Sequence, residues 1–190
     1  MVLASTSRYR RELLARLVER FDIEAPVVDE APLPHETPVA AAVRLALAKA
    51  LAVSRRRPEA LVIGSDQTAT LDDVGIIGKP GDHARAKAQL RAASGRTMVF
   101  HTALSVVWPA RGFERTEVVD TRVRFRRLDD ATIEAYLARE PAYDCAGSAK
   151  SEGLGIALIE AIDGPDPTAL VGLPLIALTA LLEAAGIRLL

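Results

Sequence analysis

The chain begins with a very short apolar run, Met1-Val-Leu-Ala4, which breaks at Ser5-Thr6-Ser7 into hydroxyls and then into Arg8, Arg10 and Arg11. A short strand is expected there, feeding a helix of about three turns whose apolar positions repeat at helical spacing over Glu12–Glu19. Phe21–Ala25 reads as a short strand. Pro26, Pro32, Pro34 and Pro38 keep the following connection extended, and it carries Asp29 and Glu30. Thr37-Pro38 is a cap followed by a first-turn proline, so an Ala/Leu-rich helix is predicted over Val39–Val53, stopped by Arg55-Arg56-Arg57-Pro58 as a solvated terminus. Ala60–Gly64 has the β-branched content of a buried strand, with Asp66 placed immediately after it. A turn at Asp72-Asp73-Val-Gly75, a return strand at Ile76-Ile77 and a break at Gly78–Gly81 lead to a helix over 82–93. Arg96–Trp108 and Glu114–Arg126 alternate on either side of Pro109–Gly112, the pattern of a long antiparallel hairpin. Asp129 caps a helix to Arg139, a strand is expected around Ala157–Ile162, and a last helix over roughly 174–185. Interleaved strands and helices with one long hairpin predict an α/β fold: a mixed, twisted sheet flanked by helices.

Composition narrows the setting. The 190 residues fit one domain spanning the chain, with 49% hydrophobic and 26% charged content. A net charge of -1 gives no bulk signature for nucleic acid or an anionic membrane, so any positive patch is local. The single cysteine, Cys145, fits a reducing compartment, no apolar run in the sequence reaches membrane length, and no signal peptide is expected from its polar opening. A soluble, cytoplasmic protein is the expectation.

Polar residues cluster at five of the predicted element ends: the Ser/Arg opening, Asp29-Glu30, Lys49, Ser65-Asp66-Gln67 and Lys79. Each has an ordinary alternative, as a capped helix with a basic face, a turn aspartate, a loop charge or a surface lysine. Jointly they are what a site needs when carboxylate oxygens hold a divalent metal and cations hold a polyphosphate. His35, His83 and His101 fall in no triad or zinc spacing.

Leu3-Ala-Ser-Thr-Ser7 with Arg10-Arg11, Asp29-Glu30, Lys49-Ala50, Gly64-Ser-Asp-Gln67, Gly78-Lys-Pro80, Ala146-Gly-Ser148 with Gly153, and Val171-Gly-Leu-Pro174 stand in the order and spacing of one family. In these motifs, which run nearly the whole chain, the sequence resembles the Maf-like nucleotide pyrophosphatases. The resemblance implies two lobes with a deep groove, similar to the inosine-triphosphate pyrophosphatase architecture. It also implies metal-dependent hydrolysis of nucleoside triphosphates to monophosphates and pyrophosphate. Asp66 then looks like the general base, Glu30 and Asp66 like ligands of Mg²⁺, Mn²⁺ or Co²⁺, and Ser5, Ser7, Arg10, Arg11, Lys49 and Lys79 like the triphosphate cradle.

Gly-Ser-Asp-Gln67 and Cys145-Ala-Gly-Ser-x-Lys-Ser-Glu-Gly153 resemble the branch acting on 7-methyl-GTP. In that reading Tyr9, Gln67 and Glu152 select the base: Tyr9 stacks on a cationic purine, Glu152 accepts from its N–H groups, and Gln67 reads a remaining polar edge. Tyr9, Arg8 and Ala149 depart from the branch, which has Trp, Pro and a larger residue there. A dTTP/UTP pyrophosphatase is the alternative within the family, and a non-catalytic nucleotide-binding regulator of cell septation the alternative outside enzymology. The resemblance suggests a homodimer; nucleic-acid binding through Arg55–Arg57 is the remaining option.

Overall fold

The computed structural model describes residues 1–72 and 75–190. Six strands form one sheet in the order β2-β1-β3-β4-β5-β6, with β1 (Val2–Ala4), β2 (Asp22–Ile23), β3 (Val62–Thr70), β4 (Thr97–Trp108), β5 (Phe113–Phe125) and β6 (Ile159–Asp163). β1 runs parallel to β2 and β3, and the β3-β4-β5-β6 part is antiparallel, so the sheet is mixed as expected. Among the described residues the helices are α1 (Arg8–Leu14), α2 (Pro38–Ser54), α3 (His83–Ala93), α4 (Asp130–Arg139) and α5 (Leu175–Ala184). None of these helices is long and apolar enough to cross a membrane. The hairpin β4-β5 pairs along its whole length and turns at Gly112, whose φ of 58° suits a residue without Cβ.

Three expectations shift. α1 starts at Arg8, where the Ser7 hydroxyl accepts from the N–H of Arg10, and ends at Leu14 instead of running to Glu19. Its last turn tightens, with Arg16 and Leu17 donating to Leu13 and Leu14, and this steers Leu17, Val18 and Phe21 onto the cluster beneath. β3 continues past Gly64 to Thr70, so Asp66 lies inside the strand and not after it. β4 pairs with every residue of β3, whereas β1 stops opposite Gly64. Of the Asp72–Gly75 turn, Asp73 and Val74 lie outside the described residues; Asp72 accepts from the N–H of Gly75 at 3.1 Å. Arg56 and Arg57 are not simply solvated: they pair with Glu24 and Asp22 at 2.6 and 2.5 Å, tying the end of α2 to the edge strand β2.

The period-2 alternation assigns each face of the sheet. On one face Leu3, Ile63, Leu104 and Val106 lie under α1 and α5, and Met98, Phe100, Val123 and Phe125 under α3 and α4. Ser65, Gln67 and Thr102 share this face and fall between the two clusters, so a polar belt divides the apolar core. The other face is covered by α2, whose Ala42, Ala46 and Ala50 are fully buried. Gly64 makes this close packing feasible, because a Cβ there would lie 2.4 Å from the Ala46 carbonyl oxygen.

Candidate active site

Where β1 ends and β3 goes on, a cleft of about 960 Å³ opens at the sheet edge. Ser5, Ser7, Tyr9, Arg10, Glu30, Lys49, Asp66, Gln67, Lys79 and Glu152 all line it, drawn from segments far apart in sequence. Arg11 does not: it is exposed on α1, about 100° around the helix from Arg10.

Lys49 stands at the centre. It projects from the Ala-rich α2, is only 5% exposed, and sets its ammonium 2.6 Å from Asp66 Oδ1 and 2.8 Å from Glu30 Oε1. A buried ammonium is tolerated when paired, and here two carboxylates share it. The hydrogen bond from Lys49 holds the Glu30 carboxyl below its ordinary value against the opposing effect of burial, helped by the charges of Lys49, Lys79 and Arg10. Arg10 is pulled down by burial and held up by the charges of Asp66 and Glu30. Five segments therefore share one electrostatic environment.

A depressed carboxyl contributes stability above its unfolded value and loses it as pH falls through the folded one. Glu30→Gln is accordingly expected to lower Tm at pH 7 by about 1–3 °C, a small effect because Glu30 is largely exposed to solvent. The difference should vanish once the pH is well below 4.5, the ordinary glutamate value. Melting curves of both proteins across that range check it; a gap that widens in acid contradicts the pairing.

Ser5 and Ser7 flank the start of α1. Ser5 Oγ accepts from the Ser7 N–H at 3.0 Å and Ser7 Oγ from the Arg10 N–H at 3.4 Å. These bonds use only lone pairs, so both hydroxyls keep a proton to donate. Arg10 donates through Nε to the Gly172 carbonyl at 2.8 Å, which fixes its plane and turns the guanidinium toward the carboxylates it feels. The same carbonyl accepts from Ser65 Oγ at 2.9 Å.

Asp166 explains why that carbonyl stays in place. This carboxylate is 2% exposed and accepts from the N–H and hydroxyl of Thr168 and from the N–H groups of Ile176 and Ala177 at the start of α5. It so clamps the 166–177 loop, from which Ala169 and Leu170 offer carbonyls to the Gln67 amide nitrogen at 3.0 and 3.1 Å. Gln67 is thus committed on its N–H side to the polar belt, with Thr102 as a third partner at 2.8 Å. Sequence reasoning missed Asp166; its Asp-Pro-Thr spacing, typical of a local turn ahead of a helix, was the available signal.

The other end of the cleft holds Tyr9, Asp144, Lys150 and Glu152. Arg8 Cζ lies 5.2 Å and Lys150 Nζ 5.8 Å from the Tyr9 ring centre. Lys150 pairs with Asp144 Oδ1 at 2.8 Å. Burial alone would lower the Lys150 ammonium, but its bonds to Asp144 and the Tyr9 phenol outweigh this and hold it above its ordinary value. Cys145 also lines the cleft, and burial pushes its thiol up to about 12, which removes it as a nucleophile near neutral pH. His83 and His101 are engaged with Glu134 and Asp120, away from the cleft lining.

A model of the family described as Maf-like protein matches residues 1–185. A protein of Burkholderia pseudomallei named 7-methyl-GTP pyrophosphatase is 61% identical over 189 residues, covering 98% of this chain and 87% of its own. Proteins of the same name from a Polaromonas species and from Thiobacillus denitrificans are 59% and 58% identical, covering all of this chain and 86% and 94% of theirs.

Proposed function

The chain belongs to the Maf-like protein family, and from that premise we propose that it is a nucleoside triphosphate pyrophosphatase acting on 7-methyl-GTP. Water attacks the α-phosphorus, the bond to the bridging oxygen breaks, and 7-methyl-GMP and pyrophosphate leave. The observation that carries this reading is the Lys49 ammonium between Asp66 and Glu30, in a cleft whose other walls bring Arg10, Ser5, Ser7 and Lys79. The relatives' shared name supports the substrate.

Lys49 holds Oδ1 of Asp66, so Oδ2 is the oxygen that takes the proton from the attacking water. Arg10, Lys79 and the two serine hydroxyls hold the β- and γ-phosphates, whose charge grows as pyrophosphate departs. Glu30 and Asp66 offer the oxygen donors that a hard dication takes; although among the described residues no group of three or more His, Cys, Asp or Glu is assembled, Mg²⁺ or Mn²⁺ needs only one or two carboxylates when phosphate oxygens and water complete its shell. Glu30 and Asp66 would hold it. Its chemistry there is Lewis-acid neutralisation of phosphate charge.

Pyrophosphate release from 7-methyl-GTP, GTP, UTP and dTTP, each with Mg²⁺ or Mn²⁺, tests the proposal. The highest kcat/KM is expected for 7-methyl-GTP, with GTP following closely because two cations already face Tyr9. A clear preference for the pyrimidines would move the chain to the dTTP/UTP branch, and no hydrolysis of any triphosphate would remove the enzymatic reading.

A further inference from the structure

Lys150 is a charged group of the cleft that the proposed reaction leaves without a task. Its side chain is 16% exposed, and its ammonium lies 2.8 Å from Asp144 Oδ1 and 5.8 Å from the Tyr9 ring centre. An ammonium has three N–H donors. Asp144 engages the ammonium on one side, which leaves N–H donors for a ligand acceptor beside the Tyr9 ring. Two residues on, Glu152 lines the same end of the cleft and offers only acceptors. Lys150 and Glu152 thus bring a donor and an acceptor to one end of the cleft.

We propose that Lys150 determines specificity by donating to a keto oxygen of the base while Glu152 accepts from the neighbouring ring N–H, so that the cleft selects keto bases against amino bases. Guanine presents that pair as O6 and N1–H, and uracil and thymine as O4 and N3–H. Adenine and cytosine place an amino donor where the ammonium donates and an unprotonated ring nitrogen where the carboxylate accepts. Both contacts then become repulsive, and the half-buried ammonium loses its ligand acceptor. Tyr9 supplies the stacking face that puts the base edge within reach, and Asp144 keeps the ammonium from swinging away. The inference rests on the nucleotide reading of the cleft but not on which keto base is preferred.

The test compares kcat/KM for two pairs that differ in this edge, GTP with ATP and UTP with CTP, in the wild type, Lys150→Met and Lys150→Arg. The wild type is expected to favour the keto member of each pair. Lys150→Met should reduce that ratio by about 10- to 100-fold, the range of one hydrogen bond to a charged group, while Lys150→Arg retains most of it. Equal losses on keto and amino substrates would make Lys150 a general anchor and overturn the proposal. Binding of GMP against AMP to the three proteins separates the two readings. A Lys150-dependent GMP preference without hydrolysis sinks the pyrophosphatase reading and keeps this one; turnover with no keto preference does the reverse.

Discussion

Asp66→Asn is expected to lower pyrophosphate release by about 10²–10⁴-fold, the usual contribution of a positioned general base. The substitution keeps the shape of the side chain and an oxygen for Lys49, whose ammonium also retains Glu30 at 2.8 Å. What it removes is the ability to take a proton. Folding should therefore survive, with Tm within a few degrees of the wild type, while kcat collapses by roughly 3–5 kcal/mol of barrier. The size of the loss discriminates between roles. A loss below about tenfold would leave Asp66 as a ligand or a charge partner, with the proton going elsewhere. Full activity in the variant would remove it from the mechanism. Pyrophosphate release under single-turnover conditions, paired with a melting curve, gives both numbers.

Gly64→Ala is expected to damage stability and activity together, although Gly64 does not itself line the cleft. The added Cβ would sit 2.4 Å from the Ala46 carbonyl oxygen, 2.7 Å from the Ala50 nitrogen and 2.9 Å from the Ala50 Cβ. The first two are helix backbone and cannot rotate away. α2 must lift from β3 by roughly 1 Å to restore ordinary contact, at an overpacking cost of about 1–3 kcal/mol or more. For a chain of this length that corresponds to a fall in Tm of roughly 2–12 °C. Lys49 rides on the same helix, three residues beyond Ala46, so the lift also withdraws its ammonium from Asp66. Misplacement of that order costs about 10²-fold in rate. Thermal melting together with kcat at a temperature where the variant is folded checks the pair of effects; a stable variant with full activity would mean that α2 does not position Lys49.

The same helix shows what the sequence discloses and what it hides. Thr37-Pro38 gave the start of α2, and the Gly78–Gly81, Asp129 and Pro109–Gly112 punctuation placed α3, α4 and the hairpin, because caps and turns are local chemistry. Strand ends are not local. β3 was expected to stop at Gly64 because its apolar run stops there, but its length is set by β4, and its polar residues after Gly64 are tolerated because β1 no longer covers that edge. Individual site residues such as Lys49 and Asp66 were visible as unusual charges, whereas the partnership of Lys150 with Asp144, both in a loop without periodicity, had no spacing to reveal it. Asp166 stayed hidden for a related reason: its partners on α5 are known only once the loop is folded back.

That loop has an evolutionary corollary. It reaches the cleft through the carbonyls of Ala169, Leu170 and Gly172, and a carbonyl is common to every amino acid. Side chains at 169 and 170 are therefore free to drift within the limits of packing without altering what Gln67 touches. Drift is barred at two other kinds of position. Asp166 and Thr168 supply the side-chain bonds that shape the loop. Gly172 holds φ at +114° and would press a Cβ to 3.3 Å from Arg10 Nε. Selection on Arg10 is thus partly written 162 residues away in Gly172, and in the buried Asp166 that shapes its loop.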